Sequence, residues 1–99
     1  MENFTINDNE YRIKRMNAIE LLALRSQISF DNYEETKNFY NLLLEKFEVK
    51  CGKEWLQVKD GENYYPAGIE NDIELIDTLI AKMMEYLKSV FQKSNASKA

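Results

Sequence analysis

The sequence predicts a single α+β domain: an N-terminal β-hairpin, two helices, a short antiparallel meander and a long C-terminal helix. Three observations carry that expectation. Apolar residues alternate with polar ones at Phe4, Ile6, Tyr11 and Ile13, and the period again tends toward two between Phe47 and Tyr65, as in half-buried strands. From Asn71 to about Phe91 there is no Gly or Pro, and Ile73, Ile76, Ile80, Met83, Leu87 and Val90 are spaced 3, 4, 3, 4, 3. That is one face of a helix and also the spacing of a coiled-coil seam. Finally, Asn17/Glu20, Asp31/Glu34 and Asn71/Glu74 repeat a capping signature, a short polar residue followed three positions later by Glu.

Taken in order, a two-residue turn at Asp8-Asn9 pairs Ile6 with Tyr11 and Phe4 with Ile13, all on one face. A helix follows over residues 18–28, entered through Met16 and Leu21 as a hydrophobic staple. Its interior, Ala18-Ile19-Glu20-Leu21-Leu22-Ala23-Leu24, is apolar nearly all round, which predicts burial on most sides. Arg25 either pairs with a carboxylate or snorkels to the surface. Phe30-Asp31-Asn32 breaks the pattern, and a second helix runs to about Phe47. Thr36, Tyr40, Leu43, Leu44 and Phe47 form its stripe, widened by Phe39 and Leu42.

In the meander, turns at Gly52-Lys53 and Asp60-Gly61 set Val49 opposite Leu56, Lys50 opposite Trp55, Lys59 opposite Glu62 and Leu56 opposite Tyr65. Val49, Leu56, Val58 and Tyr65 then share the core face. Lys50, Trp55, Gln57 and Tyr64 share the other. Pro66 and Gly68 stop the sheet. The third helix starts at Asn71, with Asp72, Glu74 and Asp77 near its N-terminus and Lys88 and Lys93 near its C-terminus, complementing the dipole. Residues 1–91 read as the domain and 92–99 as a flexible polar tail.

The composition narrows the function. Thirteen Lys+Arg against seventeen Asp+Glu give a net charge of −4, with the signs interleaved. That pattern argues against non-specific phosphate binding and so against a nucleic-acid partner. No run approaches the ~18 apolar residues of a membrane span, and the first residues carry no secretory signal, so a cytosolic protein is expected. There is no histidine, and Cys51 is the one cysteine. The usual general base and the Ser-His and Cys-His nucleophiles are therefore missing, as are zinc and redox Cys pairs. No phosphate-binding glycine motif occurs. The expectation is a non-enzyme with no catalytic, cofactor or metal site.

What remains is apolar helix surface. Beyond its seam the third helix carries Leu75, Leu79, Met84, Tyr86 and Phe91 around much of its cylinder, more than one small core readily covers. Leu75, Ile76, Leu79, Ile80, Met83, Tyr86 and Leu87 are therefore the candidate partner-binding residues, for a client protein or for self-association. The Leu75, Leu79 and Tyr86 side is the one expected to stay open.

The succession of segments resembles the tail assembly chaperones of long-tailed bacteriophages. The residues concerned are the short strand Tyr11-Arg12-Ile13-Lys14, a helix entered at Met16 with Ala23-Leu24-Arg25 inside it, and the Trp-bearing strand Glu54-Trp55-Leu56-Gln57-Val58. Pro66, Ile69 with Asp72, and an apolar final helix ending in Phe91 complete the order. The resemblance implies a non-catalytic protein of the host cytoplasm. It would bind the long tape-measure protein, keep it soluble and help the tail-tube protein assemble around it. The alternatives are a small phage-encoded inhibitor of a host enzyme or defence protein, and a structural phage protein retained in the particle.

Overall fold

The structure is a computed structural model that describes residues 3–28 and 31–98, with side chains through Gln92. The expected break at Phe30, the side chain of Lys93 and the last tail residue, Ala99, lie outside the described residues. The fold is the α+β arrangement expected. Strands β1 (Phe4–Ile6), β2 (Asn9–Ile13), β3 (Phe47–Cys51) and β4 (Glu54–Gln57) form one antiparallel sheet in the order β1-β2-β3-β4. A small ladder of β5 (Lys59–Asp60) and β6 (Asn63–Tyr64) follows. The helices are α1 (Ala18–Ser26), α2 (Tyr33–Leu44) and α3 (Ile73–Lys98).

The first turn sits one residue earlier than expected. Asn7 and Asp8 hold φ of 51° and 69°, the pair of left-handed conformations a tight hairpin needs and Asn and Asp tolerate. Tyr11 therefore faces Phe4, and Asn9 faces Ile6. Each partner moves by two residues, so the faces are unchanged and Phe4, Ile6, Tyr11 and Ile13 still point together. β2 then pairs with β3, Tyr11 opposite Val49 and Ile13 opposite Phe47. That long-range ladder joins the hairpin to the meander. The Val49–Leu56 and Lys50–Trp55 pairs stand as expected. The last turn slips by two as well: Lys59 faces Tyr64 rather than Glu62. Tyr65 N–H donates to Val58 O at 2.9 Å, in place of a pairing with Leu56.

Capping places the helices. Asn17 Oδ1 accepts from Glu20 N–H at 2.9 Å and Glu20 Oε1 accepts from Asn17 N–H at 3.3 Å, a reciprocal box that starts α1. For α2 the cap is Asn32 rather than Asp31, accepting from Glu35 N–H at 2.9 Å. α2 stops at Leu44, so Phe47 belongs to β3. A 3-10 turn, Ile69–Asn71, precedes α3, and Asp72 rather than Asn71 receives the first cap bond, from Leu75 N–H at 3.1 Å. At its far end α3 continues to Lys98, past the expected stop near Phe91 and through most of the expected tail. Gln, Lys and Ala are good helix formers, and no Gly or Pro intervenes. At ~1.5 Å per residue this helix spans most of the 44 Å long dimension.

The helices cover the sheet face made by Tyr11, Phe47, Val49 and Val58, all at most 1% exposed. α3 supplies Leu75, Leu79, Met83 and Leu87 to that core, α2 supplies Phe39, Leu43 and Leu44, and α1 supplies Leu24. The opposite sheet face is polar. Arg12 Nε bonds Glu48 Oε1 at 2.7 Å, the Arg12 guanidinium lies 4.1 Å from the Trp55 ring centre, and Lys14 Nζ donates to Gln57 Oε1 at 2.9 Å.

Burial of α1 on most sides is not what the fold provides. Leu24 is buried and Leu21 and Ile28 are half-buried, while Ile19, Leu22 and Ala23 face outward. A two-turn helix at the margin of one core meets that core on one side only. Among the described residues Arg25 pairs with no carboxylate; its guanidinium lies 4.3 Å from the Phe91 ring centre, tying α1 to α3.

Two expectations follow from this core. Leu79→Ala should destabilise the fold by about 2–5 kcal/mol, read from the urea midpoint. Tyr11 Oη is buried without a hydrogen bond among the described residues. Burial, foremost, pushes its pKa above the ordinary value; the nearby Asn9 side chain opposes the rise, and Asp72 and Cys51 add to it. The unfolded chain therefore ionises this group first, and stability falls as pH rises above about 10. Tyr11→Phe should reduce that loss, and near neutral pH it should be neutral or mildly stabilising. A steeper alkaline loss in the variant would contradict this assignment.

Candidate docking groove between the second and third helices

α3 meets the sheet through positions 75, 79, 83 and 87, an i+4 ridge rather than the 3-4 seam read from the sequence. Four residues advance a helix by about 400°, so successive ridge positions precess by roughly 40° and wrap across a twisted sheet. This overturns four of the seven candidate partner residues. Leu75 and Leu87 are 5% and 4% exposed, and Leu79 and Met83 are fully buried. They are core, and the side expected to stay open is closed. Tyr86 is half-buried against the same cluster.

Ile76 and Ile80 lie at the margin of that ridge, partly buried, and one turn earlier Ile73 is 80% exposed. Across from them stands the outer edge of α2, with Tyr33 75% exposed and Tyr40 half-buried. Two adjoining concavities of about 300 and 440 Å³ run along this junction and share Tyr40, Glu70 and Ile76. Tyr64 of β6 and Leu44 of α2 line the first, and Ile73 and Ile80 line the second. Lys37 stands on the α2 rim, while the exposed carboxylates Glu70 and Asp77 stand on the α3 side.

The site is thus an apolar trough with a largely acidic far rim. It contains no thiol, and Cys51 lies elsewhere, exposed beside the β3–β4 turn. Among the described residues no three His, Cys, Asp or Glu side chains are grouped as metal ligands, and no helix is long and apolar enough to cross a membrane. Aromatic and branched aliphatic side chains with a charged border suit one task well, the seating of another apolar helix.

Of the residues named from the sequence, Ile76 and Ile80 line the trough, whereas Tyr33 and the outer residues of α1 were not named. One signal was available. Leu21, Leu24 and Ile28 form one helical stripe, and Ile19, Leu22 and Ala23 form a second on the opposite side. A short helix with two apolar stripes in a small domain can bury only one of them.

Scans against protein-family models, curated proteins and solved structures find no match to this chain.

The reassignment is directly measurable. Ile73→Ser should change stability by no more than about 0.5 kcal/mol, whereas Met83→Ala should cost about 2–5 kcal/mol. Equal losses in chemical denaturation would mean that Ile73 is core after all.

Proposed function

We propose that this protein is a non-catalytic binder of an amphipathic helix, acting as a tail assembly chaperone whose client is the tape-measure protein of a long-tailed phage. The observation that carries the reading is the trough between α2 and α3, with Ile73 and Tyr33 held largely in water at its edges. Covering such side chains yields roughly 25 cal/mol per Å² of apolar surface. An isolated domain forgoes that gain, and a client helix supplies it. Anchors at spacing i, i+3 and i+7 on the client would meet Ile73, Ile76 and Ile80, which carry the same spacing. The resemblance through Tyr11–Lys14, Ala23-Leu24-Arg25, Glu54–Val58 and the final helix supplies the client's identity, and with it a place of action in the host cytoplasm.

Co-expression with the tape-measure protein tests this. The wild-type chain should keep the tape measure soluble and co-purify with it. Ile76→Glu and Ile73→Glu should each weaken that complex by about tenfold or more while circular dichroism shows a folded domain. A tape measure that stays insoluble and unbound in the presence of the wild-type chain would sink the proposal.

A further inference from the structure

Among the described residues, the outward stripe of α1 and the α2–α3 trough are the two places where clustered apolar side chains stand in water. Ile19 is 77% exposed and Leu22 is 47% exposed, with Ala23 and Ser26 beside them. Ile19, Leu22 and Ala23 carry the i, i+3 and i+4 spacing of a helix seated in a groove, and Ser26, whose hydroxyl donates to Ala23 O, ends the same side. Leu21 and Leu24 point the other way and hold α1 to its own core. A chain therefore cannot turn this stripe into its own trough without giving up that anchorage.

We infer that the α1 outer stripe of one copy occupies the α2–α3 trough of a second copy, head to tail, and that the client helix competes for the same trough. The dimensions agree. Ile19 to Ser26 and Ile73 to Ile80 are both seven-residue steps, each about 10.5 Å of helix rise. The charges agree as well. Arg15 and Arg25, both exposed, flank the α1 stripe, and Glu70 and Asp77 border the trough on its α3 side. Glu20, the acidic residue within α1, is occupied by the Asn17 capping box and lies 3.9 Å from Lys46 Nζ. The Arg15 guanidinium is the charge left to meet the acidic rim, because that of Arg25 is stacked on Phe91 and offers only its edge.

Contact between two different surfaces is heterologous, so a dimer retains one free stripe and one free trough and can grow. A helix of nine residues buries little, below the roughly 1,200 Å² of a standard interface, so the contact is weak and yields to a longer client helix. The competition rests on the trough being the client site; the self-association does not.

Sedimentation equilibrium of the full chain tests this. Wild-type mass should rise above 11.7 kDa with concentration, while Leu22→Glu and Ile76→Glu should each remain monomeric. Mixed together, the two variants should form a dimer and go no further, because one keeps its trough and the other keeps its stripe. Ile19→Glu, at a more exposed position, repeats the α1 arm should Leu22→Glu fail to fold. A wild-type chain that stays monomeric into the millimolar range overturns the inference, and so does a mixture of folded variants that stays monomeric. Addition of the tape-measure protein separates the two proposals. Release of self-association, with Leu22→Glu still binding the client, supports both. Oligomers that neither bind nor respond to the client leave the self-association standing and overturn the client reading and the competition.

Discussion

Leu75, Leu79, Met83 and Leu87 set the terms for the rest of the molecule. A four-stranded sheet with Tyr11, Phe47 and Val49 on one face must have that face covered, and α3 lays an i+4 ridge across it. The other helices arrange themselves around that contact. α2 adds Phe39, Leu43 and Leu44 beside the ridge, and α1 reaches the cluster with Leu24 and Met16 ahead of it. The long-range pairing of β2 with β3 brings Tyr11 beside Val49 and Ile13 beside Phe47, and so builds the surface on which the ridge rests. Without that pairing the hairpin and the meander would be two small ladders, each marginal alone.

The two faces of the sheet show how this chain treats surface it does not cover. On the outer face Trp55 is shielded by the Arg12 guanidinium, which Glu48 holds in turn, and Lys14 is tied to Gln57. Polar side chains thus protect the one large aromatic ring there. Among the described residues no comparable arrangement protects Ile19 and Leu22 on α1, or Ile73 at the start of α3. The contrast gives those residues meaning. Scattered apolar side chains are ordinary on a surface, but here they fall in two clusters, one convex and one concave, with opposite charges at their margins.

Most of the fold was legible because it is written in local signals. The Asn17 box, the Gly52-Lys53 turn and the period-two run around Val49 each depend on residues close in sequence, and each stands as read. Errors arose where two neighbouring residues could serve equally. Asn7-Asp8 competed with Asp8-Asn9 for the first turn, and Asn32 with Asp31 for a cap; local spacing does not rank such pairs. The site was less legible for a different reason. Helical periodicity identifies apolar positions on α3, but which of them the core consumes depends on the angle at which the helix crosses the sheet. That angle is a tertiary quantity. A seam through Ile76, Ile80 and Met83 and a ridge through Leu75, Leu79 and Met83 are neighbouring stripes of one cylinder, and only packing against Tyr11 and Phe47 chooses between them.

That choice couples folding to docking. Ile76 and Ile80 stand between the ridge and the trough, each partly packed against the core and partly facing outward. A helix that settles in the trough completes their burial and that of Tyr40 across from them, so occupancy extends the core rather than adding a separate contact. Any ligand that binds only the folded chain raises its stability by mass action. Here the gain would pass through the α2–α3 junction and on to the ridge itself. The α1 stripe is attached differently: its helix is tied to α3 by the stack of Arg25 on Phe91 and to the core by the buried side chain of Leu24. Docking through α1 therefore loads a helix with one buried side chain, while docking into the trough adds to the packing of residues that border the buried ridge. On the proposed reading, client and neighbouring α1 share this trough, and a client helix longer than the nine residues of α1 would bury more of its apolar lining and so displace it.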